Sequence, residues 1–177
     1  MTPLPYAFGD SPLVAWRLDR REFAAGWDSG EGAYRFGGRW NSKGTRAVYR
    51  SIDPATAILE VAVHRSFEAL DTVAHVLTAV SIAEPAAVHV VQPDAVPNPN
   101  WLRPGIPGAG QQAFGDRLLA RHGFMLIPSV VSTHSWNLVF SAAAAAGTYA
   151  LASQEAFALD TRLHPPTGRE APGAGVA

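Results

Sequence analysis

Cysteine is absent from this chain of 177 residues. Disulfides, thiolate nucleophiles and zinc–sulfur centres are therefore excluded, and the usage suits a reducing compartment. Charge is also sparse. The 14 basic and 15 acidic residues leave a formal net charge of −1, so no basic surplus exists to grip a phosphate backbone, and nucleic acid is not an expected partner. No segment approaches the roughly 20 consecutive apolar residues that a membrane-spanning helix needs; the run AAAAAG at 142–147 is far too short. The opening MTPLPYAFGDSPLVAW has neither the basic start nor the long apolar stretch of a signal peptide. A cytoplasmic protein without a membrane partner is the expectation.

Hydrophobic residues, at 47% against 16% charged, are plentiful enough to bury a core. The length suits one domain, placed over 13–163, with an N-terminal extension at 1–12. The tail HPPTGREAPGAGVA at 164–177 has the composition of a disordered segment. Strands are expected at Leu13–Leu18, Arg46–Arg50, Val73–Ile82, Ala87–Val91, Phe124–Val131, Trp136–Phe140 and Gln154–Leu159. Asp53-Pro54 opens a helix over 54–68, since Asp caps and Pro fits the first helical position. Gln111–His122 is a second helix, stopped by Gly123. Between them, QPDAVPNPNWLRPGIPGAG at 92–110 is a long irregular loop, of the kind that is usually functional or mobile, and Trp101 is its natural anchor. Strands without regular βαβ alternation indicate an α+β fold with a mixed, mostly antiparallel sheet and flanking helices.

Four side chains stand out in apolar or turn-like settings: Arg39 in GGRWN, Tyr49 and Glu60 in VYRSIDPATAILEV, and Ser129 in IPSVV. This set suits cleavage of the nicotinamide–ribose bond of NAD. The leaving nicotinamide is already cationic and needs no general acid; the difficulty is the oxocarbenium-like charge on the ribose, which a carboxylate stabilises. A planar guanidinium suits the diphosphate. Each residue also has a plainer reading. Glu60 could be a solvated position on an amphipathic helix and Arg39 a surface turn residue, while Tyr49 could be core packing and Ser129 a hydroxyl with a backbone partner. Competing motifs fail on context. Gly108-Ala-Gly110-Gln-Gln-Ala113 has no strand before it, as a dinucleotide fingerprint requires. Lys43-Gly44-Thr45 has phosphate-loop letters in the wrong order. The six histidines show no metal-ligand spacing, and Ser132, His134 and Ser135 lack a nucleophile elbow.

Taken with WRL (16–18), GGRWNSKGTRAVYRS (37–51), AILEV (57–61), GDRLL (115–119), IPSVV (127–131) and WNLVF (136–140), these residues resemble the RES-domain family, named for an arginine, a glutamate and a serine. Arg39, Glu60 and Ser129 fall on the three named positions and Tyr49 on the family's active-site tyrosine. The resemblance implies a fold similar to diphtheria-toxin-like ADP-ribosyltransferases. It implies a toxin of a bacterial toxin–antitoxin pair that attacks NAD as its substrate and needs no metal. ADP-ribose would pass to water, to phosphate or to a protein, phosphoribosyl pyrophosphate synthetase being one kind of target. The implied partner is a helix-turn-helix antitoxin of the Xre/ParS type that plugs the site. Arg39, Tyr49, Glu60 and Ser129 are then the expected catalytic residues, and Arg17, Arg39, Tyr49 and Asn137 the expected NAD-binding ones. The alternative is a non-catalytic module that binds a nucleotide or a partner through the same pocket.

Overall fold

The computed structural model describes residues 12–103, 105 and 107–163. The expected tail at 164–177, and all of the expected extension except Pro12, lie outside the described residues. Among those described, seven strands form one sheet: β1 (Leu13–Arg20), β2 (Val48–Ser51), β3 (His75–Ile82), β4 (His89–Val90), β5 (Phe124–Pro128), β6 (Trp136–Phe140) and β7 (Tyr149–Phe157). Their order is β4-β5-β6-β2-β1-β3-β7. Every neighbouring pair is antiparallel except β4 and β5, which run parallel. The expected α+β class and mostly antiparallel sheet are what the structure has. Three helices flank the sheet: α1 (Glu31–Phe36), α2 (Pro54–Thr72) and α3 (Ala109–His122). No helix among the described residues is long and apolar enough to cross a membrane.

Alternation along the strands sorts side chains onto two faces. Trp16 and Leu18 of β1 and Leu77 of β3 pack with Ile58, Val61, Ala62 and Leu70 of α2. Met125 and Ile127 of β5 and Val139 of β6 pack with Leu118 and Leu119 of α3 and with Trp40 and Trp101. The register pairs Tyr49 with Val139 and Ser51 with Asn137, so these residues belong to the helix-covered face. The other face buries Ala15, Val80, Leu126, Leu138 and Phe140.

Asp53 starts α2 as expected: its carboxylate accepts from the Thr56 N–H at 2.7 Å, and Pro54 follows at the first helical position. The helix runs on to Thr72, beyond the expected 68, and is broken at Ser66, whose φ of 66° is unusual for a side-chain-bearing residue. Three further expectations are corrected. β2 begins at Val48 and ends on Ser51, not on Arg50. β5 stops at Pro128, so Ser129 lies just past the strand. The last strand spans 149–157, not 154–159, and is exposed along most of its length. It carries no core stripe that would betray it in the sequence.

The sheet has a seam. β1 and β3 pair along their whole length, whereas β1 and β2 share only the Trp16–Ser51 pair. Two guanidinium groups cross the gap that opens beyond it. Arg17 donates to the Tyr49 carbonyl at 3.2 Å, and Arg50 donates to the Thr78 carbonyl of β3 at 3.1 Å.

Candidate active site

Glu60 lies in the second turn of α2 and points to the far ends of β5 and β6. Its Oε1 accepts the Ser129 hydroxyl at 2.9 Å and the Asn137 amide at 2.6 Å. Among the described residues no ion pair involves Glu60, and Oε2 accepts no hydrogen bond. A carboxylate held by neutral donors on one oxygen leaves acceptor capacity on the other. Neither helix periodicity nor a solvated surface position accounts for this arrangement.

The donors are themselves held. Ser129 is fully buried. Its hydroxyl accepts the N–H groups of Val131 and Ser132 at 3.1 and 3.0 Å, and its backbone N–H donates to the Ser135 carbonyl at 2.9 Å. The one hydroxyl hydrogen goes to Glu60, so none remains for a ribose. Asn137 is equally committed, for its Oδ1 accepts the Ser51 hydroxyl at 2.7 Å. Ser135, at the end of the 129–135 loop, donates its hydroxyl to Asp53, tying that loop to the start of α2. Burial works against ionisation of Asp53, but the hydrogen bonds from Ser135 and Thr56 prevail and hold its carboxyl below the usual range.

Arg39 and Tyr49 form a second group. The Tyr49 hydroxyl donates to Asn41 Oδ1 at 2.7 Å and accepts the Trp40 N–H at 3.0 Å. Burial, the main cause, pushes this phenol far above its usual range, so it stays protonated. Asn41 is fully buried and donates to the carbonyls of Ala33, Ser42 and Thr45 at 3.0–3.1 Å. α3 grips the same loop from the other side. Gln112 donates to the Gly38 carbonyl at 2.9 Å, and Asp116 accepts the Ser42 N–H at 3.1 Å and its hydroxyl at 2.5 Å. Gly38 is needed for this assembly: a Cβ there would lie 2.6 Å from the Tyr49 hydroxyl. Its openness serves the protein's own tyrosine. The Arg39 guanidinium donates to the Trp101 and Arg103 carbonyls at 3.1 and 3.4 Å, fastening the proline-rich loop. Trp101 anchors that loop as expected, 4% exposed and edge-on to Trp40 at 5.6 Å.

Arg17 shares a pleat face with Ala15, opposite Trp16 and Leu18. It spends its Nε on Asp19 at 2.7 Å and an Nη on the Tyr49 carbonyl. Arg50, behind the site strand, is 2% exposed and lies over Trp27. Burial, followed by repulsion from Arg17, lowers its pKa to about 10.

The structure thus brings Glu60, Ser129 and Asn137 into direct contact and sets Tyr49 two residues along β2 from their partner Ser51. No hydrogen bond joins Arg39 or Arg17 to that trio. Sequence reasoning missed Ser51, Asn41, Gln112 and Asp116. The alternation of VYRS, which puts Tyr49 and Ser51 on one face, was a signal for Ser51; Asn41, Gln112 and Asp116 meet only through the tertiary fold. Among the described residues no group of three or more His, Asp or Glu could hold a metal ion.

An α+β sheet with a helix-borne carboxylate braced by strand-end serine and asparagine donors defines the class of site. The sequence pattern of the RES domain matches residues 14–160, and the chain belongs to that family. Similar curated proteins are the "Toxin Res" of Photorhabdus laumondii, 28% identical over 73% of this chain and 81% of the relative, and the "Toxin Res" of Yersinia enterocolitica, 27% identical over 85% and 99%. Among solved structures, the M. tuberculosis MbcT–MbcA toxin–antitoxin complex contains a chain with the same fold. Its TM-score is 0.65 and its identity 21%, over 84% of this chain and 86% of that one.

Proposed function

We propose that this chain is the toxin of a bacterial toxin–antitoxin pair and that it cleaves the nicotinamide–ribose bond of NAD, passing ADP-ribose to a protein, to water or to phosphate. The observation that carries the reading is the state of Glu60. Neutral donors orient this carboxylate on one oxygen, and no cation among the described residues pairs with it. Such a group suits the positive charge that develops on a ribose as nicotinamide departs. A salt-bridged carboxylate would already have spent that charge.

In this reading Arg39 binds the diphosphate, exchanging backbone carbonyls for phosphate oxygens, while Arg17, on the opposite pleat face and bound to Asp19, supports the Tyr49 strand from behind. The Tyr49 ring packs against the nicotinamide half, while its hydroxyl keeps the Arg39 loop in place. Ser129 and Asn137 act on the ligand through Glu60. The antitoxin, a helix-turn-helix protein, covers this face, and the exposed Leu59 and Val63 beside Glu60 supply apolar surface for it.

The test is mass spectrometry of purified protein with NAD, in phosphate and phosphate-free buffer, with and without cell extract. Free ADP-ribose or its 1″-phosphate identifies a NAD-depleting enzyme. An extract protein heavier by one ADP-ribose identifies a transferase, with phosphoribosyl pyrophosphate synthetase a candidate to look for. Glu60→Gln is expected to slow nicotinamide release by about 10²–10³ and to relieve growth arrest on expression. Full NAD consumption by Glu60→Gln would refute the assignment, and NAD binding without nicotinamide release would leave a binding module.

A further inference from the structure

We infer that Ser51 is a positioning residue for the Glu60 carboxylate, acting through Asn137; the inference rests on the reading of Glu60 as the group that faces the ribosyl cation. Ser51 and Asn137 are directly opposed in the β2–β6 ladder, which sets their Cβ atoms about 5 Å apart on one face. The Ser51 hydroxyl donates to Asn137 Oδ1 at 2.7 Å, and Asn137 Nδ2 donates to Glu60 Oε1 at 2.6 Å. The hydrogen bonds therefore run in one direction, hydroxyl to amide to carboxylate. Each polarises the next in a chain that starts from a buried hydroxyl and ends at the half-buried Glu60. The chain ends on the oxygen that Ser129 also serves, so two donors hold Oε1 directly, a third group stands behind one of them, and among the described residues none takes Oε2.

Two features make Ser51 more than a filler. It is 2% exposed, so water does not replace its hydroxyl. Without it, Asn137 Oδ1 loses its donor within the protein, and the amide plane is free to tilt away from Glu60. Ser51 is also the residue that pairs with Trp16 across the seam. Its backbone is therefore fixed on both sides, and the hydroxyl has a defined origin.

The experiment uses the full chain and the variants Ser51→Ala, Ser51→Thr, Asn137→Ala and the Ser51→Ala/Asn137→Ala pair. Thermal melting confirms that each is folded. The first readout needs no activity: the NMR signals of the Asn137 side-chain amide. A short bond to a carboxylate moves the donated proton downfield and slows its exchange. Ser51→Ala is expected to move that proton upfield and to speed exchange about tenfold, with Ser51→Thr keeping the native signal. The second readout is the kinetics of NAD cleavage. Ser51→Ala should lower kcat about tenfold and leave KM within about twofold, and it should change kcat less than about twofold when Asn137 is already alanine.

An unmoved Asn137 amide in Ser51→Ala overturns the inference. So does a kcat loss that is as large in the Asn137→Ala background, because Ser51 would then act independently. A wild-type chain that cleaves no NAD but shows the Asn137 response upholds the positioning role and removes the proposed activity instead.

Discussion

Gly115→Ala is the substitution on which two physical arguments disagree most sharply. Gly115 lies inside α3, where alanine is ordinarily better than glycine by about 1 kcal/mol. Helix propensity alone therefore makes the change stabilising. The structure opposes it. A Cβ at Gly115 would lie 2.0 Å from the Trp40 carbonyl oxygen and 2.7 Å from its carbon, with rigid backbone on both sides. Relief requires α3 and the 37–42 loop to separate by about 1.5 Å, since non-bonded heavy atoms settle near 3.5 Å and beyond. That movement stretches the Gln112–Gly38 bond at 2.9 Å and the Asp116–Ser42 bonds. Overpacking costs about 1–3 kcal/mol, and two weakened polar contacts add about 1–2 kcal/mol. After the propensity gain the net loss is about 1–4 kcal/mol, or a drop of roughly 2–16 °C in melting temperature for a domain of this size. Urea and thermal unfolding, followed by circular dichroism at 222 nm, measure it directly. A Gly115→Ala protein as stable as the parent, or more so, would refute the close approach of α3 to the Trp40 backbone.

Tyr49→Phe should cost about 2 kcal/mol in urea unfolding, because the Trp40 N–H and Asn41 Oδ1 both lose a partner; it should also raise KM for NAD more than it lowers kcat. Ser129→Ala removes a donor from Glu60 and the acceptor of two backbone amides, and it should reduce nicotinamide release about 100-fold, read by the same mass-spectrometric assay. A pH effect is expected at the His89–His122 stack, where the ring centroids are 4.1 Å apart. Burial first, then repulsion from His122 and Arg121, depresses the His89 pKa. The fold thus favours the neutral ring: its stability contribution is intact above about pH 6.5 and is lost as pH falls through the depressed folded value. Melting temperatures between pH 7 and 5 should fall less in His89→Phe, which keeps the stacked face, than in the parent.

The elements of this fold were visible where a local rule governs them. Asp53-Pro54 announced α2 because capping and a preset φ act within four residues. Trp101 revealed the anchor of its loop because so large an apolar side chain gains much by burial. Glu60, Ser129 and Asn137 were each identifiable as candidates, yet their mutual contacts were not, because they come from separate elements joined only by the sheet register. The partners that Ser129 and Asn137 take within the protein were hidden for the same reason: hydrogen-bond capacity is shared out by neighbours no spacing reveals. β7 was mislocated because its mostly exposed side chains leave no alternating pattern, and only its end residues Tyr149 and Phe157 reach the core.

The seam between β1 and β2 sets a mechanical condition on the site. Ser51 and Asn137 stand on the half-sheet of β4, β5, β6 and β2, and Ser129 lies at its edge. Glu60 rides on α2, whose apolar face is packed against Leu18 and Leu77 of the other half. The carboxylate and its donors therefore sit on elements that meet at a joint with one backbone pair and two arginine hydrogen bonds, backed by the shared core of Ala15, Val48, Val80 and Leu138 and by the Ser135–Asp53 bond. Arg17 reaches the site strand at the Tyr49 carbonyl and Arg50 reaches β3 at the Thr78 carbonyl, so the geometry of the site depends on two cations that never meet Glu60.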